Sequence, residues 1–256
     1  MNALNKYFSL KIMLLRGDTL ALDRWRFVRA FLQKTNNKEK ILDIGCGNGS
    51  FCLNAAALGY NCLGLTWDKK DENNANIKAK NLDIKSCQFG IQDVRQLGNQ
   101  KELKNKFDFI ICTENAEHII DDLKLFKDMN SCLANGGILI FTAPNYFYTP
   151  ISKGDMGPFR KVEDGGHVRK GYTAQMLSEL CELSNFKVEK ISYCGGFLSQ
   201  KITAIYRFFS KINSKLAWLI ILPLRIFPPT IDSLLNKIIA RPMYSISLIA
   251  YKPRFK

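Results

Sequence analysis

Ile41-Leu42-Asp43-Ile44-Gly45-Cys46-Gly47-Asn48-Gly49-Ser50-Phe51 decides the fold. An apolar run carrying one acid, Asp43, reads as a buried strand. Three glycines at alternate positions then demand a tight turn, because glycine alone adopts positive φ freely and lets a ligand approach the backbone closely. A helical pattern follows over 50–58. Outward from this unit, apolar runs at Lys40–Ile44, Asn61–Thr66, Ser86–Ile91, Phe107–Thr113 and Gly137–Ala143 alternate with helical patterns around 72–81 and 119–133. Such alternation predicts an α/β chain with a parallel sheet covered on both faces. After Pro144 come a Gly/Pro-rich loop, a helix from Thr173, a strand near Phe186–Tyr193 and a β-rich run Tyr244–Tyr251.

The 256 residues suffice for one sizeable domain, and 46% hydrophobic with 23% charged residues describes a globular chain. Before the glycine turn, Leu20, Trp25, Val28 and Leu32 share one face of an amphipathic helix over 20–34, and Asn36-Asn37-Lys38 ends it. Eight cysteines stand singly, without a CxxC pair. The apolar run Ile12–Leu15 is cut off by Arg16, and no small-residue cleavage site follows, so a secretory signal is not expected. Free thiols in a reducing cytoplasm are the simpler expectation.

The net charge of +14 is unevenly placed. Residues 1–34 hold seven Lys/Arg against two Asp/Glu, 35–150 hold thirteen against fourteen, 151–196 seven against six, and 197–256 ten against one. The centre is nearly neutral, and the excess sits at the ends.

A G-x-G-x-G turn with an acid two residues before its first glycine differs from the G-x-G-x-x-G of dinucleotide-binding turns. It resembles the first motif of class I S-adenosylmethionine-dependent methyltransferases, and the resemblance runs over about residues 38–195. It implies a Rossmann-like, mostly parallel seven-stranded sheet with helices on both faces. It also implies that Asp43, Gly45, Cys46, Gly47 and Gly49 cradle S-adenosyl-L-methionine, with Thr113 beside it. The family places a ribose-binding acid at the end of the second strand. Here that position is Thr66, with Asp68 two residues on, so either Asp68 reaches back to the ribose or Thr66 makes a weaker contact; Asp68 as a helix cap is the plainer alternative. Asp93 matches an acid near the adenine amine, or else is a solvated loop carboxylate. Gly136-Gly137-Ile138-Leu139-Ile140-Phe141 matches the turn and fifth strand.

Both histidines fall in suggestive places. Glu114, Glu117 and His118 are spaced i, i+3, i+4 and would share one face of a helix beginning there. His167 lies in a loop expected to overhang the same end of the sheet. Two carboxylates and two imidazoles form a divalent-metal set. This E-x-x-E-H run with a later histidine resembles the metal-dependent catechol O-methyltransferases of ubiquinone biosynthesis and the 2′-O-methyltransferases of small-RNA 3′ ends. The resemblance implies Mg, Mn or Zn held by Glu114, Glu117, His118 and His167, with His118, Glu117 and His167 in the catalytic role. Without a metal, His118 would act as general base or simply pack, and His167 would touch substrate.

Domain organisation is expected as one methyltransferase domain, 1–256: an N-terminal helical segment 1–37, a core 38–196, an amphipathic and apolar insertion 197–241, and a last strand with basic tail 242–256. In the insertion, Ile202, Ile205, Tyr206, Phe209 and Ile212 fall on one helical face and Arg207, Lys211 and Lys215 on the other. Trp218–Pro229 is too short to span a bilayer and is broken by Pro223 and Arg225. The insertion reads either as a cap on the core or dimer contact, or as a peripheral contact with the anionic inner membrane face. The expected acceptor is therefore a small, lipid-linked, quinone-like or sugar-like hydroxyl compound. RNA ranks second, because no basic stripe interleaved with aromatics crosses the middle of the chain. A non-catalytic S-adenosylmethionine-binding regulator ranks third, since it would leave the acid/histidine cluster idle.

Overall fold

A computed structural model describes residues 18–32, 39–151 and 153–254. The expectations at Ile12–Arg16 and Asn36–Lys38 lie outside the described residues. Seven strands form where the apolar runs predict them: β1 (Lys40–Ile44), β2 (Asn61–Thr66), β3 (Cys87–Ile91), β4 (Phe107–Thr113), β5 (Leu133–Pro144), β6 (Lys187–Cys194) and β7 (Ser245–Tyr251). They hydrogen-bond in the order β3-β2-β1-β4-β5-β7-β6. β1 to β5 run parallel, and β7 lies antiparallel between β5 and β6.

Period-two alternation divides the strand residues between two cores. Leu42, Ile110 and Leu139 meet α4 (Asp122–Cys132) and α5 (Ala174–Leu183) on one face of the sheet. Ile41, Ile111 and Ile140 meet α1 (Thr19–Phe31), α2 (Ser50–Ala56) and α3 (Lys69–Asn81) on the other. Side-chain caps set the helix starts. Asp18 accepts from the Ala21 N–H at 2.8 Å, and Asp121 from the Lys124 N–H at 2.9 Å. The second cap delays α4 beyond the 119 suggested by hydrophobic spacing.

The insertion before β7 is helical: α6 (Phe197–Ser210), α7 (Ser214–Ile221) and α8 (Pro228–Ile239). Asp232 of α8 caps α6, accepting from the Leu198 and Ser199 amides at 2.6 and 3.0 Å. The sequence reading treats 201–216 as one amphipathic helix, but α6 ends at Ser210. Asn213 starts α7 by accepting from the Lys215 and Leu216 amides, so Ile212 leaves the buried face and is exposed. Among the described residues, no helix is long and apolar enough to cross a membrane.

Phe126 of α4 is fully buried, with ring centroids 5.2 Å from Phe141 and 6.4 Å from Phe186. Phe126→Ala should destabilise the fold by about 3–5 kcal/mol in urea unfolding, because it opens a cavity among packed rings. Phe208→Ala, at an exposed position of α6, should stay within about 0.5 kcal/mol of the parent.

Candidate active site

The strand order reverses between β1 and β4, so the loops leaving their carboxyl ends diverge and open a crevice. Gly45, Gly47, Thr66, Asp93, Glu114 and His118 are among the residues lining it, each placed just beyond the end of β1, β2, β3 or β4.

On one side lies the glycine turn. Gly45, Gly47 and Gly49 all have positive φ, at 73°, 49° and 76°. A methyl group at Gly49 would strike the Phe89 ring at 2.6 Å, so that glycine serves packing. At Gly47 the nearest atom is 3.9 Å away, on Asp71, so a side chain there would project into the crevice. Asp43 is buried beneath the turn and accepts from the Cys52 thiol at 3.4 Å. Burial pushes its carboxyl up to about 7. The Cys46 thiol also sits under the loop, donating to the Gly47 carbonyl at 3.5 Å, and burial raises its pKa.

Asp68 caps α3, its Oδ1 accepting from the Lys70 and Asp71 amides at 2.7 and 3.2 Å. This is the plainer of the two expected roles. Thr66 lines the crevice instead, together with Asp71, an acid one turn into α3 that the sequence reading passed over. The i+3 spacing from a capping Asp68 would have pointed to Asp71. Asp93 does reach the crevice, but Arg95 clasps its carboxylate, with Nε 2.9 Å from either oxygen, and holds its pKa below the usual range. Arg95 also donates to Glu163 at 2.8 Å, tying the overhanging loop to this side. Thr113 ends β4, paired with Thr142, and does not line the crevice.

On the other side His118 lines the crevice, and Glu117 and His167, which do not line it, converge with His118. Each offers a ligand atom within 4.8 Å of the other two, and the imidazole centroids are 4.7 Å apart. Glu114 does not join them. Its φ of 49° and a short 3-10 turn over Ala116–His118 replace the continuous helix that would have aligned all three residues. Its carboxylate turns to Thr142 and Ser245, which donate at 3.2 and 3.1 Å, and to Arg24 of α1 at 3.4 Å. The expected four-ligand set is a trio here.

His167 is brought over His118 by ties between its loop and 116–122. The Val168 N–H donates to the Glu117 carbonyl at 2.9 Å. Arg169 pairs with Asp122 and donates to the Ile119 and Ile120 carbonyls, while the buried Tyr172 hydroxyl donates to the Ala116 carbonyl at 3.1 Å. Sequence reasoning missed these tethers; no local pattern marks them. Glu117 is almost wholly buried, and burial, reinforced by Glu114, raises its pKa well above the ordinary range. Burial and the adjacent His118 lower that of His167. Glu117 Oε2 and His118 Nδ1 are buried without a hydrogen-bond partner.

A family model described as a methyltransferase domain matches residues 19–191. A ubiquinone biosynthesis O-methyltransferase of Actinobacillus pleuropneumoniae serotype 7 (strain AP76) is 33% identical over 168 residues, 62% of this chain and 71% of that protein. Similarly named relatives from Acinetobacter are matched over only 44% of their length. Among solved structures, the [4+2]-cyclase SpnF overlays with a TM-score of 0.63 at 16% identity, over 92% of this chain and 83% of that one. An S-adenosylmethionine-dependent methyltransferase from Mesorhizobium loti overlays at 0.59 with 19% identity, over 93% and 100%. At those identities the structural likenesses speak for the fold alone.

Gly47→Val should weaken S-adenosylmethionine binding roughly a hundredfold in calorimetric titration, because the isopropyl group enters the space the backbone leaves open. The variant should still unfold cooperatively. Unchanged affinity would remove the glycine turn from the cofactor site. Asp43 supplies a pH test. Its folded pKa of about 7 lies above the ordinary carboxylate value, so the folded state holds a proton that the unfolded chain releases. Ligand-free stability should therefore fall as pH rises from the ordinary carboxylate range toward that value. In Asp43→Asn that slope should be shallower, with Glu117 still contributing to it, as urea midpoints across the window would show.

Proposed function

The chain belongs to the methyltransferase-domain family, as a class I S-adenosylmethionine-dependent methyltransferase, and on that premise we propose that its acceptor is a hydroxyl group activated with a divalent cation. The acceptor we favour is small, quinone-like, or lipid- or sugar-linked, with two neighbouring oxygens. The observation that carries this reading is the convergence of Glu117, His118 and His167 on the side of the crevice away from the glycine turn. The O-methyltransferase name of the relative at 33% identity supports the same class of acceptor.

The donor set fits a cation. A buried carboxylate oxygen and a buried imidazole nitrogen without partners are costly unless something compensates them. Glu117 would supply the negative charge and the two histidines neutral nitrogens, a mixture suited to Mg, Mn or Zn. When bound, such an ion lowers the pKa of a coordinated hydroxyl and directs its oxygen.

The chain's own residues supply the rest. The glycine turn fixes the cofactor's amino-acid end, and the loop tied down by Arg169 and Tyr172 shields the acceptor side from water. Transfer forms the O–CH3 bond as the S–CH3 bond breaks, leaving S-adenosylhomocysteine, and the hydroxyl proton departs. In-line placement of the two reactants contributes up to about 7–11 kcal/mol of barrier lowering. His167, kept neutral by burial and by His118, has a ring-nitrogen lone pair free to ligate or to accept that proton.

The test is methyl transfer from radiolabelled S-adenosylmethionine to catechol acceptors, with and without chelator. Chelation should abolish transfer, and added Mg or Mn should restore it. His118→Ala, His167→Ala and Glu117→Ala should each lower kcat about a hundredfold or more with cofactor affinity nearly intact. Glu114→Gln should be milder in kcat, since that carboxylate faces Arg24. Full activity in chelator, with only His118→Ala crippled, would replace the cation with a base at His118.

A further inference from the structure

The three-helix insertion leaves large apolar side chains in water. Phe208 is 66% exposed, Ile212 73% and Leu219 59%. Leu216 and Leu219 follow i, i+3 spacing on α7, with Ile212 exposed in the turn before it, and Ile231, Leu234 and Ile238 follow i, i+3, i+7 along α8, so each helix carries an exposed apolar row. Scattered single hydrophobics are ordinary on a surface; exposed rows on two helices that both pack against α6 are unusual.

The charge around them has one sign. Residues 197–241 contain seven Lys/Arg and one Asp/Glu. The single acid, Asp232, is buried against the amide ends of α6. Every exposed charge among the described residues of this unit is therefore positive, with Lys211 and Lys215 flanking the start of α7 and Lys237 on α8. A second copy of the chain would bring positive charge against positive charge. Single-stranded nucleic acid would find cations but aliphatic rows on α7 and α8, with Phe208 and Phe227 the exposed phenyl rings of the unit rather than a stacked series. A surface with anionic headgroups above acyl chains satisfies both features.

We propose that α6, α7 and α8 form a docking surface for an anionic phospholipid membrane, on which the chain lies without crossing it. Of the three helices, α6 lies on the His167 side: its Arg207 reaches Asp155, in the loop that carries His167, at 3.4 Å. Resting on the reading of that side as the acceptor pocket, docking would set its mouth beside the lipid phase.

The experiment is co-sedimentation of the full chain with vesicles of phosphatidylglycerol and phosphatidylcholine, and with phosphatidylcholine alone. Binding should require the anionic lipid and fall about tenfold or more in roughly 0.5 M salt, or in the double variant Lys211→Glu/Lys215→Glu. Leu216→Ser/Leu219→Ser should lose binding to a similar degree with the charge unchanged, and an unaltered thermal transition will show that both variants fold. Equal binding to neutral vesicles, or retention by both variants, would overturn the proposal. So would failure to bind vesicles accompanied by tight RNA binding, or by a dimer that the leucine variant dissociates. Vesicle binding in a chain that transfers no methyl group to any hydroxyl would leave the docking surface standing and remove only the acceptor reading.

Discussion

Parallel pairing of β1 with β2 on one side and β4 on the other holds this molecule in its working shape. Once β1 is flanked by strands whose crossover helices take opposite faces, the loops at its carboxyl edge cannot close over one another. The crevice is thus a consequence of strand order. Short strand-end segments then place the glycine turn, Thr66, Asp93 and the Glu114–His118 segment around one space without dedicated scaffolding. The backbone reinforces the arrangement: the Gly45 and Cys46 amides donate to the Leu65 carbonyl at 3.0 and 2.9 Å, fixing the glycine turn to the end of β2.

The two sides of that space are held by different means. The glycine side is local, since positive φ at successive glycines shapes it within five residues. The histidine side is assembled from afar. Its loop hangs on Arg169, whose guanidinium meets Asp122 and two backbone carbonyls, and on Tyr172, which also donates to Asp122 at 3.0 Å. A partly buried ion pair of this kind adds little net stability, since desolvation offsets most of the attraction. Its effect is positional: it specifies where His167 sits relative to His118. Arg24 does the same for Glu114, drawing α1 across the site.

This difference explains what could be read in the sequence. Strands buried on both faces, such as β1, β4 and β7, appear as continuous apolar runs and were legible within a few residues, as was the glycine turn, while the edge strand β6 is mostly exposed and shows only a mixed pattern. The helical insertion was legible as amphipathic, though Asn213 breaks it through a side-chain cap that hydrophobic spacing does not register. At the site, the meeting of Glu117, His118 and His167 followed from sheet topology. Glu114 escaped because a helical spacing rule presumes helical φ, and its own φ is positive. Asp68 and Asp71 could not be separated by residue type. Which carboxylate caps α3 and which faces the crevice depends on the turn between β2 and α3. The tethers at Arg24, Asp122, Arg169 and Tyr172 join residues dozens of positions apart, and a single sequence carries no record of such pairs.

Charge placement follows the same division. A strong positive excess would, if it lined the crevice, favour polyanionic acceptors by steering. Here the cations near the crevice are neutralised: Arg95 by Asp93 and Glu163, Arg169 by Asp122, Arg24 by Glu114. Much of the uncompensated charge lies outside it, with seven Lys/Arg against one Asp/Glu over residues 197–241. Nothing in the crevice's electrostatics therefore selects for a phosphate backbone. What gathers at its His118 wall is a desolvated carboxylate beside two imidazoles, an environment with a need for positive charge at one point. On the function proposed above, a small cation together with an uncharged, vicinally hydroxylated acceptor would meet that need, whereas a polyanion would bring the wrong sign to the buried carboxylate.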